Sequence, residues 1–385
     1  MSHCKSYSLN RYLTLPLLCF LLISACTGIK DPTLKQLDEF DNPELILPSS
    51  RPFLMGFTYQ PYEWSNKAFR ETTDFISKNA DFIAFFMDDG VPWTEAYSKE
   101  EYSPPVEQEI ERRLSLLKPG QKVLLAISPM KSDRRTLVGG PDKPDLWKNK
   151  SFRDPTVIDA YCHYCNDMIN RFKPIHFIYG LEVNSHFKTL TEREFQDFLC
   201  FCQQVHGRLK AVHPNLTVSL EFSLTDRKSM VERQATMKAL AKYSDLICIS
   251  TYPYVPEAAP HVLGDARKIP ADWFESFTKM FPGKNFAITE TGFNSKLVNY
   301  WDRVIPGNQD SQDRYVRFML NEATRLNFKM VNWWAYRDLD KLWLQMKAGG
   351  TDDAWSQWNS NGLVDSDGNQ KSAYTTWKSW HELPI

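Results

Sequence analysis

Beyond its first 25 residues the chain has no apolar run approaching the ~20 residues a helix needs to cross a bilayer. A polytopic membrane protein is excluded. An excess of charge is missing too: 46 basic against 47 acidic side chains leave −1, with a pI near 6.7. That argues against a surface that collects nucleic-acid phosphates. No Gly-rich phosphate turn follows the first strand-like run, and no Gly-x-Ser-x-Gly elbow marks a serine hydrolase. No His/Glu spacing suits a catalytic metal either, so neither a metal nor a cofactor is expected. What the chain has in plenty is rings. Twelve Trp, 16 Tyr and 24 Phe make up 14% of its 385 residues, more ring surface than a core ordinarily requires. With 42% hydrophobic and 24% charged residues the rest is a globular composition, large enough for one big α/β domain or two ordinary ones.

Residues 1–25 read as an export signal, with Lys5 and Arg11 in a basic stretch before an apolar run from Tyr12 to Ile23. The run ends in Ile23-Ser24-Ala25-Cys26, which resembles the lipobox of bacterial lipoproteins. The resemblance implies cleavage before Cys26 and a lipid on its sulfur; an ordinary cleaved signal with an incidental Cys is the alternative. Loss of Lys5 and Arg11 takes the formal charge from −1 to near −3. Residues 26–51 are polar, carry Asp31-Pro32 and Asn42-Pro43, and read as a tether. The expected location is the bacterial cell envelope, with a soluble domain (52–385) held beside a membrane outside the cytoplasm.

Cys162-x-x-Cys165 and Cys200-x-Cys202 superficially suggest a four-thiolate metal site. Both pairs lie in segments of helical periodicity, and Cys200 and Cys202 would point about 200° apart on a helix. Buried thiols are the favoured reading, ahead of a disulfide between neighbouring helices and of a metal site.

From Pro52 onward, short β-branched or aromatic runs alternate with helix-period segments eight times. The runs are 53–59, 81–87, 122–128, 175–182, 216–223, 246–251, 285–290 and 329–334. Several are almost wholly apolar, as parallel strands covered on both faces should be. Eight such units fit a (β/α)8 barrel, usually ~250 residues plus loop insertions, better than a doubly wound open sheet. The longest connections, 129–154, 252–270, 291–311 and 335–370, all follow strands, on the face where barrel enzymes keep their chemistry.

Two acids follow apolar strand cores: Glu182 after the fourth run and Glu290 at the end of the seventh. Facing each other across a barrel, one could protonate a leaving oxygen while the other attacks an anomeric carbon from about 5 Å away, as in a retaining glycosidase. Glu221, on the fifth run, is a reserve acid whose alternative is a structural carboxylate.

The motifs around these acids resemble clan A glycoside hydrolases, barrel enzymes with an acid/base Glu after strand four and a nucleophilic Glu after strand seven. Ile288-Thr289-Glu290-Thr291-Gly292-Phe293 is similar to the clan's nucleophile motif. Asp245 to Tyr254 is similar to its strand six, especially in endo-β-1,4-galactanases and their relatives, where a Tyr after the strand touches the nucleophile. The resemblance gives that role to Tyr252 or Tyr254. Asn332-Trp333-Trp334 resembles strand eight, where a Trp floors the sugar subsite, and Asn361 to Tyr374 resembles the loop and final helix that follow. The likeness covers residues 53–381 and implies acid/base catalysis by Glu182 and nucleophilic attack by Glu290. It departs in one place: clan members usually carry Asn before the acid/base, and Leu181 stands there, leaving Asn184 or another loop to bind the sugar.

Asp88-Asp89-Gly90-Val91-Pro92-Trp93 ends the second run with two acids able to bind sugar hydroxyls and an indole able to offer a face. Trp64, Trp147, Trp301, Trp343, Trp355 and Trp358 also fall at strand ends or in post-strand loops. This pattern suits a carbohydrate groove, since pyranose rings present apolar C–H faces. His186 could line the same cleft. The reading is a lipid-anchored retaining glycoside hydrolase acting on a β-linked glycan. Its rivals are a non-catalytic glycan-binding lipoprotein on the same barrel and a barrel lyase or esterase.

Overall fold

The computed structural model describes residues 47–385 apart from 89, 141–145, 186–190, 301–302 and 352. Cys26, the expected signal and most of the expected tether lie outside the described residues, as do Asp89, His186 and Trp301. Eight parallel strands close into a barrel: β1 (Leu54–Thr58), β2 (Phe82–Met87), β3 (Lys122–Ile127), β4 (His176–Ile178), β5 (Thr217–Ser223), β6 (Leu246–Thr251), β7 (Asn285–Thr291) and β10 (Met330–Trp333). β1 pairs with both β2 and β10, so the sheet has no edge and is a (β/α)8 barrel rather than an open doubly wound sheet.

Around it lie α1 (Asn66–Asn79), α2 (Trp93–Ser98), α3 (Pro104–Ser115), α4 (Pro155–Phe172), α5 (Glu192–Val212), α6 (Arg227–Leu240), α7 (Trp273–Thr278), α8 (Gln309–Arg325), α9 (Asp340–Ala348) and α10 (Ser372–His381). α4 and α5 start where their capping chemistry says. Asp154 accepts from the Thr156 N–H ahead of Pro155, and Thr191 and Glu194 form a capping box. α2, α9 and the hairpin of β8 (Val298–Tyr300) and β9 (Arg303–Ile305) are additions within the post-strand connections. The hairpin strands are three residues each, too short for alternation to show in the sequence.

Strand alternation sorts the core into two shells. Phe82, Ala84, Leu124, Ala126, Ile178 and Met330 fill the barrel axis. Phe57, Phe85, Phe177, Phe222 and Trp333 face outward beneath the helices. A Cβ on Gly56 would stand 2.2 Å from the Phe82 ring, so glycine there makes room for the side chain that plugs the axis. His176 is buried in the same shell between Met330 and Cys248, and burial lowers its pKa to about 4, which keeps it neutral. Cys162 and Cys165 on α4, Cys202 on α5 and Cys248 on β6 are buried free thiols, and Cys200 is a half-buried one. Beneath the barrel Arg51 bonds both Asp81 oxygens and the His381 carbonyl, tying the start of the domain to α10.

Candidate active site

Glu182 and Glu290 are both delivered by irregularities in parallel strands. Along β4–β5 the Glu221 N–H donates to Gly180 O at 2.9 Å and the Val183 N–H donates to Glu221 O at 2.9 Å. A regular parallel ladder would bring residue 182 to that second bond. One extra residue is therefore present, and Glu182 takes up the turn at φ +45. Along β6–β7 the register runs Ile249 with Ile288, then Ser250 with Glu290, so Thr289 is the extra residue. Without that bulge Thr289 would face Ser250 and Glu290 would point out under the helices. With it, both turn inward, which is the usual effect of a bulge beside a functional site.

The two carboxyls converge above the β6 end. Ser250 Oγ donates to Glu182 Oε1 at 3.1 Å, while its register partner Glu290 accepts at Oε1 from the Tyr252 O–H at 2.8 Å. Glu182 Oε2 accepts from Arg134 Nε and Nη2 at 3.3 and 3.2 Å. Below them, Glu221 Oε1 accepts from Thr289 Oγ1 at 2.6 Å, and Glu221 Oε2 is buried with no hydrogen-bond partner among the described residues. Glu221 is thus a hub: its backbone carries the bulge that presents Glu182, and its side chain holds the bulge residue that presents Glu290.

Charge in this pocket is crowded. Burial, with repulsion from Glu182, raises the Glu221 pKa to about 8 despite the Thr289 hydrogen bond and the nearby Arg134. Burial raises Glu290 well above the usual carboxylate range, Glu221 and Glu182 add to the shift, and the Tyr252 hydroxyl and Arg134 oppose it. A charge on Glu221 thus works against ionisation of Glu290. Burial and Glu290 push Tyr252 far up, keeping it a donor. Burial opposes the Arg134 charge, but Glu182, Asp88, Glu290 and Glu221 outweigh it and keep the guanidinium positive.

The other expected residues divide. Asp88 is exposed at the β2 end, close enough to Arg134 to act on its charge. Tyr252 touches Glu290, whereas Tyr254 is fully buried, donating to Gln357 O and accepting from Asn361 Nδ2. Trp334 is half-buried at the barrel mouth between Phe86 and Trp358, while Trp333 is wholly buried on the outer face, its indole N–H on Asn361 O. Strand alternation separates these two neighbours. Trp93 offers no free face: it is 1% exposed, stacked on Trp147, with its N–H on Val138 O. Asn184 is fully buried and its amide is used up on the Ser223 backbone, so it does not stand in for the missing Asn. Leu181 packs into the barrel axis.

A line of rings leads away from Trp334: Trp334, Trp358, Trp355 and Trp343 follow one another at centroid spacings of 6.5, 6.0 and 6.2 Å. The Trp334 and Trp358 N–H groups have no hydrogen-bond partner among the described residues. Arg134 and Ser250 carry no sequence signal for a site. Arg134 sits 48 residues from Glu182 on a loop, and only the folded chain brings it to the acid.

No protein-family model matches the chain, and no curated protein does. Solved structures share its fold. A GH5_18 enzyme from Bifidobacterium longum in complex with Manb1-4GlcNAc is 14% identical with a TM-score of 0.61, covering 86% of this chain and 80% of its own. The GH53 catalytic domain from Ignisphaera aggregans is 14% identical with a TM-score of 0.56, covering 87% and 98%. The β-glycosidase BGL167 is 13% identical with a TM-score of 0.55, covering 88% and 98%. In fold the chain is therefore similar to (β/α)8 barrels of several glycoside hydrolase families.

Proposed function

We propose that the chain is a glycoside hydrolase that cleaves a β-linked poly- or oligosaccharide with retention, and that it is exported and held at a bacterial membrane by lipid on Cys26. Glu290 attacks the anomeric carbon while Glu182 gives its proton to the leaving oxygen; Glu182 then takes a proton from the water that releases the sugar. The observation that carries this reading is the meeting of Glu182 and Glu290 at the barrel mouth, each turned inward by its own bulge. Attack needs Glu290 as the carboxylate: the Tyr252 hydroxyl donates to that form, and a charge on Glu221 opposes it. Trp334 and Trp358, half-buried at the mouth, supply ring surface for sugars. A neighbour in fold is complexed with Manb1-4GlcNAc, which supports a carbohydrate substrate.

The test is reducing-end release across β-glucans, galactans, mannans and exopolysaccharides, with the product anomer followed by NMR. Glu290→Gln should lower kcat by roughly 10,000-fold or more while leaving glycan binding intact. Activity kept within a few-fold overturns the role of Glu290, and an inverted first product overturns retention. A second reading, a non-catalytic glycan-binding barrel, is favoured by one feature: both Glu182 oxygens accept hydrogen bonds, and Arg134 holds the second. Binding without release by the wild type across that panel selects it.

A further inference from the structure

All eight barrel strands are parallel, so the short connections that precede them share the face opposite the mouth. Lysines gather on that face. Lys78 lies in the last turn of α1 before β2, Lys122 opens β3, Lys173 caps α4 before β4, Lys242 lies in the short turn before β6, and Lys329 precedes β10. Four are exposed and Lys329 is half-buried, and none of the five has a carboxylate partner among the described residues. The acids near these connections are already engaged: Asp74, Asp81, Asp245, Glu275, Glu322 and Glu382 each stand beside another base. Ile175 before β4 and Val212 at the end of α5 add exposed apolar side chains to the same face. The chain also enters the domain here. The Arg51 N–H donates to Pro384 O at 2.9 Å, its guanidinium bonds Asp81 ahead of β2, and Cys26 lies 21 residues before Leu47. At the mouth the sign reverses, with Asp88, Glu182, Glu221 and Glu290 around Arg134.

We propose that this lysine face docks on an anionic phospholipid bilayer and turns the mouth to the aqueous side. A lysine brought to such a surface strengthens binding roughly fivefold, and several on one face multiply. The same field repels the acidic end, so it orients the barrel as well as holding it. Ile175 and Val212 stand where apolar side chains can enter the headgroup layer. The proposal rests on the membrane reading for where the protein meets a bilayer, but not for the docking itself. Its consequence for that reading is that the active site takes polymer from the aqueous side, away from the lipid.

The test uses the full chain carrying Cys26→Ser, which bears no lipid, at low salt with vesicles of phosphatidylcholine alone or with about one-third phosphatidylglycerol. Sedimentation should show at least tenfold tighter binding to the anionic vesicles. Hydrogen exchange read by mass spectrometry locates the contact. Amides in 119–121, 173–175, 213–215 and 282–284 should gain protection on anionic vesicles, and those in the mouth loops 292–297 and 337–340 should not. The variant Lys78→Gln/Lys122→Gln/Lys242→Gln changes three exposed side chains. Folded by circular dichroism, it should bind anionic vesicles at least tenfold more weakly. Equal binding to both vesicles, protection confined to residues 1–46 or to the mouth loops, or unchanged binding by the folded variant overturns the proposal. If the variant does not fold, the place of protection in the unsubstituted face decides. Because the tested chain carries no lipid, failure of lipidation at Cys26 in cells leaves this result legible. Failure of docking leaves the anchor and the glycosidase reading standing.

Discussion

Three carboxyls of one residue type sit within one pocket, and their surroundings set three different tasks. Glu182 is held from both sides by donors, Glu290 leans on one phenol, and Glu221 has a lone hydroxyl and one bare oxygen. Glu221 therefore tunes Glu290 by charge. Glu221→Gln removes its repulsion, so the acidic limb of kcat/KM, which reports ionisation of Glu290, should move to lower pH. Tyr252→Phe removes the donor that favours ionised Glu290, so it should move that limb to higher pH and cost about 2 kcal/mol, roughly 30-fold in kcat. Limbs that shift together, or not at all, would refute the coupling. Stability gives a second readout. The Glu221 pKa rises from 4.5 to about 8 on folding, so the folded chain keeps a proton that the unfolded chain loses across that window. Stability from this group falls as pH rises between those values. Denaturation midpoints at pH 5 and pH 8 should differ less in Glu221→Gln than in wild type.

At the scale of elements, the strands were legible because their residues are buried on both faces, and the long helices because their caps and apolar stripes agree. The bulges were not. A bulge is an offset between two strands, and neither β4 nor β7 contains any mark of it when read alone. For the same reason the pair Trp333-Trp334 could not be split until the β10 register showed which ring faces inward. The post-strand loops are held by buried polar clasps that no periodicity reveals. Lys371, ahead of α10, donates to Asp338, Ser295 and Gly362 O and so ties the loops after β7 and β10 together. Lys371→Met should cost about 3 kcal/mol, because it leaves the buried Asp338 carboxylate short of its main partner. Thermal unfolding measures the loss, and a midpoint within one degree of wild type would contradict it.

Across the whole molecule the barrel mouth is polarised. Carboxylates gather at the axis around Arg134, and a line of Trp leads away within the connection after β10. A glycan lying across this mouth would meet carboxylates at the axis and rings beside them. The proposed anchor belongs to this scale too: Cys26→Ser should move the full-length protein from the membrane fraction to the soluble fraction on immunoblotting. Retention in the membrane fraction would refute lipidation at that sulfur.

The sequence by itself determined the barrel, because eight alternations of apolar run and amphipathic helix have few other ways to bury their surface. It also singled out Glu182 and Glu290 as candidates, since an ionisable group ending an apolar strand stands out along the chain. The tertiary structure alone decided which neighbours serve them. Arg134, Ser250 and Glu221 come from three different connections and strands, and hydrogen bonds and charge act through space. Trp93 and Asn184 went the other way for the same reason: their partners, Val138 and Ser223, are far along the chain and close in the fold.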